Sequence, residues 1–200
     1  MKKLLLLFSA IIALGLFSCS KDDDSSNKTN KAITANIDAT SKTVWNYYSL
    51  SDNKLVGTGS DTDNKTWFAR KDWDIAICRY SVRTNSGEAS SVDAKGGVYT
   101  CKNGVSFADA KVDDGSFETD KTYDSYAKDY SIIKIIKSKA TVITFKRDDK
   151  GNMVMPPVYM KAPIYIFKNA EGNKQYKLEF LSYKNAEGTS GYVSFKYEEL

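Results

Sequence analysis

The chain contains no histidine, and apart from the initiator every methionine falls within "GNMVMPPVYM", residues 151–160. Met153, Met155 and Met160 therefore cluster the chain's thioether sulfur, a soft and neutral donor for a transition metal. Methionine is also a common filler of irregular cores, so packing is the competing role. The punctuation "KGN" and "PP" makes the segment read as a loop rather than a core strand. If it is locally extended, Met153 and Met155 share a face because side chains alternate along a strand. Pro156 and Pro157 then interrupt any ladder, and Met160 falls on the other parity.

No other constellation competes. Without histidine, Ser-His-Asp, Cys-His and His-bearing zinc sites are excluded. The chain has no G-x-S-x-G, phosphate-binding or dinucleotide-binding motif. "DDDSS" and "VDDGS" place carboxylates side by side, but in polar, turn-like surroundings. A glycosidase needs two separated carboxylates, and nothing selects such a pair. The balance favours a binding protein over an enzyme.

The elements that must position these residues are strands. Short alternating runs such as "KTVWNYYSL", "WDIAICRYSVR", "GGVYTC", "SIIKIIKS" and "TVITFKR" are separated by Asn/Asp/Gly/Ser clusters. At the C-terminus "KNAEG" occurs twice, at 168–172 and 184–188. Each copy is expected to be a hairpin turn in which Asn and Gly supply positive-φ positions. Strands near 163–168, 174–183 and 191–198 then form a meander. The fold class is all-β, two packed antiparallel sheets in a sandwich with long loops and this C-terminal meander. If "WDIAICRYSVR" and "GGVYTC" pair as a hairpin, Cys78 falls opposite Cys101 when Tyr80 falls opposite Tyr99. A cross-strand disulfide is then feasible, with thiolate ligation of a metal as the alternative.

Residues 1–18 are expected to be a lipoprotein signal peptide: Lys2 and Lys3 precede an apolar run from Leu4 to Phe17. "LFSC" reads as a lipobox, with cleavage before Cys19 and lipid on that residue. Several acyl chains on one residue anchor a protein stably. Residues 19–31, opening "CSKDDD", read as a lipidated flexible tether, and residues 32–200 as one β domain of a size that buries a substantial core. Removing Lys2 and Lys3 leaves 27 basic against 25 acidic residues. Near-neutral charge without a basic block argues against nucleic acid as a partner.

"ATSKTVWNYYSLSDNKLVG", "WDIAICRYSVRTNSGE", "AKGGVYTC" and the closing "FKNAEGNKQYKLEFLSYKNAEGTSGYVSFKY" together resemble the HmuY family. Its members are lipid-anchored haem-binding proteins of Bacteroidetes, and "CSKDDD" resembles the export signal of their surface lipoproteins. The resemblance covers about residue 33 to the end and implies an all-β, haemophore-like fold in which two extended loops grip one haem. Each loop would offer an axial ligand, and the haem would pass to a TonB-dependent outer-membrane receptor. Family ligands are histidines in some members and methionines in others. The second ligand loop matches "DDKGNMVMPPVYMK", where Met153 lies nearest the ligand position and Met155 is the close alternative. The first corresponds to "SFETDKTYDSYAKDYS", which has no methionine or histidine but holds Tyr123, Tyr126 and Tyr130. Tyrosinate binds ferric haem in catalase. Neutral thioether ligation would favour ferrous haem and resist mild acid, unlike imidazole with its pKa of about 6.5.

A second function class remains open from the residues: a non-haem surface lipoprotein that binds a glycan or partners an outer-membrane receptor. Trp45, Trp67 and Trp73 are its candidate sugar platform. Trp45 and Trp73 lie in strand-like runs and are expected in the core, and Trp67 is the freer of the three.

Overall fold

The computed structural model describes residues 31–126 and 131–200. Strands dominate, and two antiparallel sheets form the expected sandwich. The larger sheet takes the order β1 (Ile33–Asp38), β13 (Ser190–Glu199), β12 (Gln175–Lys184), β11 (Tyr165–Lys168), β6 (Gly97–Thr100). The smaller takes the order β3 (Lys54–Ser60), β2 (Val44–Ser49), β4 (Ile75–Cys78), β5 (Ser81–Thr84). The meander β11–β12–β13 is as expected, with Tyr165 opposite Leu178 and Phe180 opposite Phe195. Both "KNAEG" turns use glycine at positive φ, 76° at Gly172 and 81° at Gly188. The asparagines work differently from the expectation: their side chains, not left-handed backbones, close the turns. Asn185 Oδ1 accepts from Thr189 N at 2.7 Å, and Asn169 Oδ1 from Lys174 N at 3.0 Å, a local bond that Asn is suited to make.

Alternation sorts the side chains into layers. Val193, Phe195 and Tyr197 of β13 and Leu178 and Phe180 of β12 point into the space between the sheets, where they meet Tyr48, Ile75, Ile77 and Val82. The other face of β4 carries Ala76 and Cys78 into a second cluster with Trp45, Tyr47, Trp67, Phe68 and Trp73. Strand β4 is thus buried on both faces, which is why "IAIC" is uniformly apolar. A third cluster, with Tyr99, Cys101, Ile164 and Ile166, lies under Val105, Phe107, Val112 and Phe117.

The expected Cys78–Cys101 bridge does not form. "WDIAICRYSVR" is not one strand but two, folded back at Arg79 with φ 53°, so β4 pairs with β5 and β2. "GGVYTC" joins the other sheet as β6, paired with β11. Cys78 and Cys101 are free and buried in separate clusters. Burial pushes the Cys78 thiol up to about 11, which disfavours the thiolate a metal ligand would need.

All three tryptophans are buried, none more than 7 % exposed, so none offers a sugar platform. Trp67, in the short helix α1 (Asn64–Phe68), stacks on Tyr47 at 3.9 Å. Gly57 and Gly59 of β3 make room for it, since an added Cβ would come within 2.8 and 2.2 Å of its ring. The buried Asp74 ties the sheets together by accepting from Leu50 N at 2.8 Å and from Ala170 N at 3.0 Å.

Candidate functional site

Two hairpins leave the sandwich. One pairs β7 (Lys121–Tyr126) with β8 (Ile132–Lys137); the other pairs β9 (Ile143–Phe145) with β10 (Tyr159–Lys161). They correspond to the two segments singled out for tyrosine and for methionine.

The methionine hairpin continues past its strands as a folded ribbon. Lys146 N donates to Val158 O at 2.9 Å, Val154 N to Lys146 O at 3.0 Å, and Met153 bridges Arg147. Asp148 closes the tip by accepting from Lys150 N at 3.0 Å and Asn152 N at 2.8 Å, while Gly151 turns the chain at φ 82°. These backbone donors, that of Asn152 first, hold the Asp148 carboxyl below the usual carboxylate range. None of the methionines fills the core: Met153 is 39 % exposed, Met155 73 % and Met160 49 %. Val154 between the first two is half-buried, the alternation an extended segment produces. Both side chains of the Met153/Met155 pair are therefore exposed.

Met160 is placed otherwise. It sits on β10 opposite Thr144 and lines two grooves. One, about 340 Å³, runs between β10 and β12. The other, about 830 Å³, lies beneath the loop from Lys102 to Phe107. Glu179, a wall of the larger groove, is buried and paired with Lys161 and with Lys196, the latter at 2.7 Å. Burial pushes its carboxyl up, but the two ammonium groups outweigh that and leave it below the usual range. Neither groove takes a residue from the β7–β8 hairpin.

In the tyrosine hairpin Tyr123 lies opposite Ile135 and Tyr126 opposite Ile132. Tyr123 is half-buried, and the Lys137 ammonium stands 4.5 Å from its ring centre. Tyr126 closes β7 at the edge of the described residues; Tyr130 and Cys19, the residue expected to carry lipid, lie outside them. The residues that fix this hairpin have no local signature. Arg83, fully buried, donates from Nε to Ile136 O at 2.7 Å, pairs with Asp61 at 2.5 Å and lies 3.7 Å over the Trp45 ring. Asp120, one residue before β7, accepts from Thr84 N at 3.0 Å and Thr84 Oγ1 at 2.5 Å. Burial raises its carboxyl to about 7 against those bonds and the pull of Arg83 and Lys137. Among the described residues no three His, Cys, Asp or Glu side chains converge to hold a metal ion.

The family model described as HmuY protein matches residues 41–197. The chain belongs to the HmuY family. Solved structures share the HmuY-like fold at low identity. An HmuY-like haem-binding protein from Bacteroides vulgatus superposes with TM-score 0.61 and 23 % identity, over 84 % of this chain and 91 % of that one. A Bacteroides fragilis lipoprotein gives 0.58 and 22 %, over 86 % and 92 %. An apo HmuY analogue from Tannerella forsythia gives 0.52 and 20 %, over 86 % and 98 %. No curated protein matches the chain.

Proposed function

We propose that this HmuY-family chain binds haem through its methionine hairpin, with Met153 or Met155 as an axial ligand to the iron. The observation that carries the reading is the outward exposure of two thioethers on one extended segment, where packing would have buried them. Haem supplies the iron and a planar macrocycle; the chain supplies the sulfur, the ribbon that holds it, and apolar surface beside it. Tyr126 or Tyr123 would supply a second ligand to the iron, tyrosinate being a known haem ligand. The domain acts as a binding protein rather than an enzyme. Lipidation at Cys19 would keep it at the outer membrane, facing outward, where a TonB-dependent receptor would take the haem onward.

The test is a visible-spectrum titration of residues 20–200 with haemin, before and after dithionite. Wild type should show a saturable Soret shift, strongest when reduced, because a soft neutral sulfur favours ferrous iron. Met153→Ala/Met155→Ala should lose that shift, and Met160→Ala should keep it. No saturable shift in either oxidation state would overturn the reading. Equal affinity for both states, together with loss of binding at mild acidity, would argue against sulfur ligation. Tyr123→Phe and Tyr126→Phe, assayed with ferric haem, decide between the tyrosines.

A further inference from the structure

The larger groove holds charges that the haem reading does not use. On β12 and β13, Lys177 stands opposite Glu198 and Glu179 opposite Lys196. Phe107 of the overlying loop reaches them, its ring centre 4.9 Å from the Lys177 ammonium and 4.5 Å from that of Lys196. Lys177 and Glu179 are each only 7 % exposed. Buried ion pairs add little net stability, because desolvation cancels much of the Coulomb gain. Stability alone therefore does not account for charges beneath this loop.

Lys161 and Lys196 converge in the groove. Each ammonium contacts one oxygen of the same Glu179 carboxylate, Lys196 at 2.7 Å, so the two lie close enough for one small oxyanion to span both. They are also the open part of the cluster: the Glu179 side chain is 9 % exposed, against 65 % for Lys161 and 33 % for Lys196. An anion entering from solvent meets the ammonium groups before it meets the carboxylate. With Lys102, the groove is lined by three lysines and one acid, Glu179. Asp114, which pairs with Lys102 at 3.4 Å, stands outside the lining, and exposed pairs of that kind contribute little. Val105, Phe107, Met160 and Ile164 supply apolar wall. About 830 Å³ falls within the range for ligand sites, roughly 300–1,000 Å³.

We propose that this groove is a binding site for a phosphate monoester with an apolar body. The phosphate bridges the Lys161 and Lys196 ammonium groups on their solvent side, and the body lies against Val105, Phe107 and Ile164. A phosphate monoester carries about −1.5 to −2 charges at neutral pH, which matches the excess of lysine over acid in the lining. Lysine suits it as a point charge that needs no fixed bidentate geometry. The site goes beyond the haem reading: it uses neither Met153 nor Met155, and its failure would leave that reading untouched.

The experiment is a titration of protein carrying ¹³C-methyl Ile, Leu and Val with 1-naphthyl phosphate, without haem. The Val105 and Ile164 methyls should shift saturably, while Leu181, a wall of the smaller groove, should not. The singly charged 1-naphthyl sulfate should bind several-fold more weakly. Uncharged 1-naphthol should bind about tenfold more weakly or worse, and Lys161→Gln should weaken phosphate binding about tenfold, given what a charge-assisted contact contributes. Glu179→Gln should strengthen phosphate binding several-fold, because it removes the carboxylate that competes for both ammonium groups. A merely structural cluster would give a lower Tm and no gain. If Glu179→Gln does not fold, Lys161→Gln, at an exposed side chain, still decides. Sulfate or naphthol binding as tightly as phosphate would overturn the proposal. So would shifts centred on Leu181, the absence of saturation, unchanged affinity in Lys161→Gln, or a folded Glu179→Gln variant that gains nothing.

Discussion

The two hairpins are built on different foundations. The tyrosine hairpin rests on charge and tryptophan: Ile135 and Ile136 pack on the Trp45–Trp67–Trp73 cluster, and Arg83 clamps the Ile136 carbonyl. The methionine hairpin rests on the main hydrophobic core through Val142, Ile143 and Phe145, and its outer ribbon is held by backbone bonds and Asp148. One arm is therefore fixed by a few irreplaceable side chains, the other by apolar area and a turn. A side chain is freest to serve binding where the scaffold does not depend on it, and the exposed methionines of the second arm stand outside the core.

The sharpest way to break the comparison is Arg83→Met. It removes a fully buried guanidinium and its bonds to Ile136 O, Tyr47 Oη, Asn64 Oδ1 and Asp61. Charged hydrogen bonds of this kind contribute about 1.5–3 kcal/mol each and are not additive, so a loss of about 3 kcal/mol or more is expected. Denaturant unfolding measures it. Native-state hydrogen exchange should accelerate at Ile135 and Ile136 while Tyr159–Lys161 keep their protection; equal acceleration in both arms would mean that they share one foundation.

Asp120 predicts a second, smaller difference. Its folded pKa of about 7 lies above the roughly 3.9 of an unfolded aspartate. The folded state therefore binds more protons between those values, and stability falls as pH rises across that window. The contribution is fully present below the lower value and gone above about 7. Asp120→Asn should remove this slope, so its midpoint should gain on wild type from pH 4 to 7 and run parallel above. Parallel curves throughout would show that the carboxylate is ionised across the whole range.

The meander was readable because alternation and the repeated turn motif are local signals, and local signals survive into a fold. The Cys78–Cys101 pairing was not, because sheet membership depends on long-range partners. The turn that splits "WDIAICRYSVR" falls on Arg79, a residue with no turn signature. Trp67 looked free in "NKTWFARKD" because Gly57 and Gly59, which admit its ring, lie eight and more residues away on another element. The methionine cluster was legible as chemistry but ambiguous as structure: a thioether in a core and one on a ribbon look alike in sequence. Arg83 and Asp120 carry no pattern at all, since their partners come from four separate segments.

The smallest expected effect tests the methionine arm from the other side. Met153→Ala/Met155→Ala removes two side chains that are 39 % and 73 % exposed, and substitutions at such surface positions usually change stability by about 0.5 kcal/mol or less. Packing would give a different result, because truncating a buried methionine costs about 2–5 kcal/mol. Urea unfolding of the apo double variant therefore separates two roles that the haemin titration alone confounds. An unchanged midpoint with lost haem binding assigns the sulfurs to the ligand. A lowered midpoint would make lost binding a symptom of a damaged ribbon, and would give the pair a structural role in the hairpin.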